Sequence, residues 1–218
     1  MSVITVERKI LQKNDEIANE NRSFFTQHQI VALNLVSSPG AGKTTLLEKT
    51  LKRLHDRIPV AVIEGDVQTD RDAQRIAHHC VPVVQIVTRG GCHLDAGLVR
   101  DALQKLDLEG IRILFIENVG NLVCPASYDL GESQKIIVTS TTEGDDKPLK
   151  YPQMFRVSSV CVINKIDLLS YVDFNVQDMI QNATQVNPRL AFFELSAKTG
   201  QGMEEWFDWV EKTGTMQE

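Results

Sequence analysis

Residues 37–45, SSPGAGKTT, constrain this chain more than any other feature, because they sit between an apolar strand-like run and a helix-like segment. Gly40 and Gly42 let the backbone curl so that successive N–H groups point at phosphate oxygens, and a helix opening near Lys43 adds a favourable dipole. Ser38, Pro39, Gly40, Ala41, Gly42, Lys43, Thr44 and Thr45 are therefore the expected phosphate-binding loop. Lys43 would reach the β- and γ-phosphates and the Thr44 hydroxyl would ligate Mg²⁺. One position departs from the pattern G-x-x-x-x-G-K-[ST]: Ser37 stands where the first glycine belongs.

The rest of the chain alternates in the same way. Short runs rich in Val, Ile, Leu and Phe occur at 30–36, 59–63, 81–87, 111–116, 135–140, 159–163 and 191–195. Helix-like segments lie between most of them, at about 44–56, 70–79, 94–107, 173–184 and 202–212. Continuous apolar runs mark strands buried on both faces, so the expected fold is an α/β, Rossmann-like P-loop NTPase. It would be a three-layer sandwich around a mostly parallel sheet of about seven strands. Residues 1–28 read as an N-terminal helical extension and 29–214 as the nucleotide-binding domain. Ile10, Ile17 and Phe24 recur every seven residues and predict the apolar face of that extension.

A second motif, NKID at 164–167, points to the base. Guanine presents N1–H and N2–H₂ side by side, and the Asp167 carboxylate accepts from both. Adenine would leave that carboxylate unpaired, and such losses discriminate strongly. Asn164 would either contact the base edge or brace the phosphate loop, while the Lys165 stem would lie along the base plane. Ser196, Ala197 and Lys198 then form an S-A-K element, of the kind that offers a backbone N–H to guanine O6. The expected ligand is GTP or GDP.

Mg²⁺ and the γ-phosphate also need partners from segments that move. Glu117 and Gly120 form E-x-x-G after the run at 111–116, so Glu117 is expected to hold Mg²⁺ and Gly120 to sense the γ-phosphate. Asp66, Asp70 and Asp72 are further candidates for Mg²⁺ or for the attacking water. No glutamine follows Gly120 to position that water, which implies slow hydrolysis.

Cys92 and His93 follow the third run, and Cys124 lies four residues beyond Gly120. Thiolate and imidazole are soft ligands suited to Ni²⁺ or Zn²⁺, although three donors leave a four-coordinate site incomplete. Cys92 reads as sitting at a helix N-terminus, where a thiol's pKa is lowered. The sequence 78–80, His-His-Cys, is a weaker competitor, and Cys161 reads as a core residue.

A net charge of −6 gives no support to a sequence-independent nucleic-acid or anionic-membrane binder. No apolar run approaches the ~20 residues needed to span a bilayer. The charged start of the chain does not resemble a signal peptide, so a cytoplasmic location is expected.

These motifs, together with residues 10–22 (ILQKNDEIANENR), 64–66 (EGD), 90–93 (GGCH) and 117–125 (ENVGNLVCP), resemble the HypB family of hydrogenase nickel-incorporation GTPases, of the SIMIBI class. Within that family Ser37 is normal. The resemblance implies a homodimer formed with GTP and delivery of Ni²⁺ to the [NiFe]-hydrogenase large subunit with a HypA-like partner. It also implies a metal site at Cys92, His93 and Cys124. An N-terminal Cys-rich or His-rich nickel motif is not expected, since residues 1–27 hold neither residue type. The alternatives are a urease nickel-insertion GTPase of the UreG kind, whose metal motif is Cys-Pro-His, or a metal-sequestering scaffold with structural GTP.

Overall fold

A computed structural model describes residues 6–66, 76 and 78–215. Seven strands form one sheet in the order β3-β2-β4-β1-β5-β6-β7, with every adjacent pair parallel. They are β1 (Val31–Ser37), β2 (Val60–Asp66), β3 (Val83–Val87), β4 (Ile113–Glu117), β5 (Gln134–Ser140), β6 (Val160–Asn164) and β7 (Ala191–Glu194). The helices are α1 (Val6–Gln27), α2 (Lys43–Leu54), α3 (Ala96–Leu103), α4 (Lys147–Lys150), α5 (Pro152–Val157), α6 (Val176–Val186) and α7 (Met203–Thr215). Most of the helix expected at 70–79 lies outside the described residues, as do Asp70 and Asp72. The short helices α4 and α5 have no periodic signature and were not expected.

Strand alternation divides the core. Val31, Leu33 and Leu35 of β1 face α2 and α7, where fully buried Trp206 donates its indole N–H to Thr50 Oγ1 at 2.8 Å. Ala32 faces the opposite layer with Phe25, Leu94, Val99 and Leu114. Asn34, on that second face, is also fully buried and takes part in a polar network described below.

Helix α1 packs on α3 through a face that overlaps the expected one: Phe24 packs against the core and Ile17 is half-buried, but the centre of the contact is shifted. Ile10 is half exposed, and the buried stripe is Asn14, Ala18, Asn21 and Phe25. Both asparagines are satisfied by backbone. Asn14 Nδ2 donates to Asp129 O (2.8 Å) and its Oδ1 accepts from Ala96 N (2.9 Å). Asn21 Nδ2 donates to Ala96 O and Leu130 O at 3.0 and 2.9 Å. The close approach needs Gly131, where a Cβ would lie 2.5 Å from Ala18 O. Apolar periodicity cannot reveal this face, because its specificity lies in amides that bond distant backbone groups. Replacing Asn21 by alanine is expected to lower unfolding stability by about 1–3 kcal/mol, since two buried carbonyls lose their donor. The urea midpoint checks this.

Candidate nucleotide and metal site

In an all-parallel sheet the loops after the carboxyl ends of the strands share one edge, and ligands bind where connections diverge to opposite sides. Here β1 is flanked by β4 and β5, so the loops after these strands converge. A cavity of about 420 Å³ opens there, lined by Ser37, Ser38, Pro39, Gly40, Gly42, Lys43, Thr44 and Thr45, with Glu64, Gly65 and Asp66 from β2, Glu117 at the end of β4, and Val119 and Gly120 after it.

The loop geometry explains the departure at Ser37. Positive φ angles occur at Gly40 (78°) and Gly42 (95°), whereas Ser37 is still part of β1. An extended residue needs no glycine. Gly42 does: a Cβ there would sit 2.4 Å from Asn164 Nδ2. Helix α2 begins at Lys43, as expected.

Lys43 Nζ lies 2.9 Å from Glu117 Oε1, and the Thr44 hydroxyl donates to the same oxygen at 2.6 Å. Glu117 is almost wholly buried, and its Oε2 has no hydrogen-bond partner among the described residues. A buried carboxylate oxygen with an unused lone pair, beside a threonine hydroxyl in a cavity that Asp66 also lines, fits a hard, oxygen-preferring cation such as Mg²⁺.

Asn164 braces the phosphate loop. Its Nδ2 donates to Ala41 O (2.9 Å), and its Oδ1 accepts from Lys165 N (2.8 Å) and Ala197 N (3.0 Å). Phosphate loop, β6 and the S-A-K element are thus tied at one side chain. The Ala197 N–H is engaged by Asn164, while buried Ser196 caps its own turn by accepting from Thr199 N, and Lys198 is exposed. Lys165 adopts φ 63° and donates to Gly40 O at 2.6 Å. Asp167 follows it with Oδ1 buried and lacking a partner among the described residues, which suits an acceptor kept for a base.

One set of contacts was not foreseen. Lys147, largely buried, donates to Ser38 Oγ (2.6 Å) and to Glu143 Oε1. Glu143 Oε2 in turn accepts from Ser140 N at 2.8 Å. The available signal was positional: residues 141–147 follow the strand beside the phosphate-loop strand, at the carboxyl edge where ligand loops gather.

The Cys92 and Cys124 Sγ atoms approach to 2.9 Å and the Cys92 Sγ–His93 Nδ1 distance is 3.5 Å. The four cysteines are free thiols, and 2.9 Å is well beyond the ~2.05 Å of a disulfide. Among the described residues, Cys92, His93 and Cys124 alone bring three Cys, His, Asp or Glu donors within 4.8 Å of one another. The His93 ring packs on Tyr128 at 3.9 Å between centroids, and Asn121 Nδ2 donates to Cys92 O at 3.1 Å. Cys80 is exposed, and Cys161 is a core residue whose thiol is pushed up to about 12 by burial.

The expected lowering of the Cys92 pKa is overturned. Its thiol is raised, chiefly by the hydrogen bond it shares with Cys124 and then by burial. Helix α3 starts only at Ala96, and its N-terminus is capped by Asp95, which accepts from Leu98 N at 2.8 Å. A helix dipole fades beyond its first turn, so it does little for Cys92. His93 is shifted the other way, downward, because burial favours the neutral imidazole. That is the form that binds metals.

The loop that carries Cys124 touches the phosphate loop. A Cβ on Gly120 would meet Pro39 Cα, Cγ and N at 3.2 Å, so the segment leading to Cys124 lies directly on the nucleotide loop. A family profile described as the CobW/HypB/UreG nucleotide-binding domain matches residues 31–194. Hydrogenase maturation factor HypB of Escherichia coli K12 is 53% identical over 209 residues, covering 96% of this chain and 72% of that protein. The chain belongs to the HypB family. Among HypB crystal structures, that from Archaeoglobus fulgidus superposes with a TM-score of 0.87 at 37% identity, covering 94% of this chain and 100% of that one. HypB from Helicobacter pylori in complex with nickel gives a TM-score of 0.86 at 37% identity, covering 92% and 95%. Membership supports the P-loop nucleotide-binding fold and a role in hydrogenase maturation. No helix among the described residues is long and apolar enough to cross a membrane.

Proposed function

We propose that this chain hydrolyses GTP slowly and uses the nucleotide to set the state of a Ni²⁺-carrying site. It would thereby assist nickel insertion into the large subunit of [NiFe]-hydrogenase. The observation that carries this reading is the contact between Gly120 and Pro39, only four residues before the metal-ligating Cys124.

Lys43 supplies positive charge to the phosphates, and Gly120 senses the γ-phosphate. Thr44 and Glu117, with Asp66 or Asp72, hold Mg²⁺, which when bound neutralises charge on the phosphate oxygens. Asp66 or Asp72 orients the attacking water. Asp167 selects guanine, Asn164 and Lys165 fix the phosphate loop, and Ser196, Ala197 and Lys198 complete the base pocket. Cys92, His93 and Cys124 carry Ni²⁺, and they accept Zn²⁺ through the same soft donors. Residues 1–28 act as an extension docked on a domain spanning 29–214. A HypA-like chaperone and a GTP-dependent homodimer complete the cytoplasmic delivery system.

Ni²⁺ affinity measured by equilibrium dialysis without nucleotide, with GDP and with a non-hydrolysable GTP analogue tests the reading. An affinity ratio between GDP and GTP-analogue states of at least about fivefold is expected, the lower range of allosteric coupling. Equal affinities would remove the switch, because a ligand shifts an equilibrium only through differential binding.

A further inference from the structure

Behind the two metal-ligand loops runs a chain of buried polar side chains that no motif assigns. Asn118, between Glu117 and Gly120, is 1% exposed. Its Oδ1 accepts two backbone N–H groups: Leu94 N, immediately after His93, at 3.1 Å, and Val119 N at 2.9 Å. Its Nδ2 donates to Asn34 Oδ1 at 3.3 Å. Asn34 Nδ2 then donates to Glu132 Oε1 at 3.0 Å, and Glu132 Oε1 lies 3.4 Å from Lys135 Nζ. Lys135 Nζ donates to Pro125 O and Tyr128 O, both at 2.9 Å. One end of the chain thus holds the residue after His93. The other holds the residue after Cys124 and the residue whose ring packs on His93.

The polarity of this chain is fixed. The Leu94 and Val119 N–H groups can only donate, so Asn118 must turn its oxygen toward them and its amide nitrogen toward Asn34. Asn34 must then present its oxygen to Asn118, which aims its nitrogen at Glu132 Oε1. Every member is buried, so a member that loses its partner is left unsatisfied in a low-dielectric interior.

We infer that Asn118 is the positioning residue that transmits nucleotide state to the metal site. This rests on the proposed coupling of GTP to Ni²⁺ binding. The Asn118 backbone N–H is anchored to Leu35 O at 3.0 Å, so the residue's start belongs to the sheet. The Val119 N–H shares the Asn118 oxygen with the Leu94 N–H, and Val119 is joined directly to Gly120, the residue a γ-phosphate would draw. Any movement of Val119 therefore changes the oxygen's other bond, the one that holds the Cys92–His93 loop. Gly65 makes this loop sensitive from a second side, since a Cβ there would lie 2.9 Å from the Leu94 side chain. Leu94 thus sits between two segments that line the nucleotide cavity.

The test compares Ni²⁺ affinity of the full chain and of Asn118→Ala in the GDP and GTP-analogue states, using the metal ion alone as probe. The parent ratio is expected to be at least about fivefold. In Asn118→Ala it should fall to within about twofold of one, with GDP affinity retained as the sign of an intact nucleotide site. A merely structural role would weaken Ni²⁺ binding in both states and leave the ratio standing. An unchanged ratio in Asn118→Ala overturns the inference while leaving the coupling itself intact. A parent ratio of one overturns both. Should Asn118→Ala not fold, amide hydrogen exchange on the unaltered chain decides the matter. Leu94 N–H protection should differ between GDP and GTP-analogue states, and equal protection overturns the inference.

Discussion

Replacing Lys43 by alanine is expected to lower GTP turnover by about 10²–10³-fold, the usual cost of removing one preorganised electrostatic contact to the transition state. The geometry gives the loss two sources. Lys43 is the lysine of the phosphate loop, so its ammonium disappears from the position where charge develops. It is also paired with Glu117 at 2.9 Å in a nearly buried contact. Stripping one partner from a buried pair is destabilising by about 3–5 kcal/mol, because the other charge stays behind. Glu117 would retain the Thr44 hydroxyl as a donor. Phosphate release under single-turnover conditions measures the loss, and a thermal melt separates it from unfolding. A folded Lys43→Ala chain that hydrolyses GTP at the parental rate, or fully matures hydrogenase in cells, would exclude the assigned role.

The parts of this site that sequence reveals are those whose chemistry is local. The phosphate loop, the NKID element and the Cys-His pair each need particular residue types within a few positions. Their backbone requirements follow from the same positions, as Gly42 against Asn164 shows. The strands were legible for a related reason: both faces are buried, so each run is nearly uninterrupted. Their order was not, since nothing in an apolar run says which neighbour it takes.

What escaped the sequence depends on partners far along the chain. The buried face of α1 is built on Asn14 and Asn21, whose partners lie 75 to 115 positions away. Counting apolar residues instead selects Ile10, Ile17 and Phe24, of which Ile10 faces solvent and the other two only flank the contact. The Cys92 thiol is raised by Cys124, 32 residues on, and that contact outweighs any dipole expected from the local pattern. Lys147, held locally by Glu143, reaches Ser38 in the same long-range manner.

The second large effect concerns the metal. Cys92→Ala is expected to weaken Ni²⁺ and Zn²⁺ binding by at least ~100-fold, beyond the 10–100-fold that follows loss of an outer-shell partner alone. Only His93 and Cys124 would remain of the three donors, and two ligands do not hold a borderline-soft cation against water. Cys92 is exposed, so the substitution opens no core cavity, and a loss of binding reports on ligation. Two further substitutions sharpen the reading. Cys80→Ala, in the competing His-His-Cys cluster, should leave metal affinity unchanged, because that residue lies apart from the three-donor group. Cys161→Ala should also leave it unchanged while lowering stability, since it removes a fully buried side chain. Equilibrium dialysis with each metal checks all three. Parental affinity in Cys92→Ala would move the ligands elsewhere in the chain, and it would break the physical link between the Gly120 segment and the cargo that the proposed function requires.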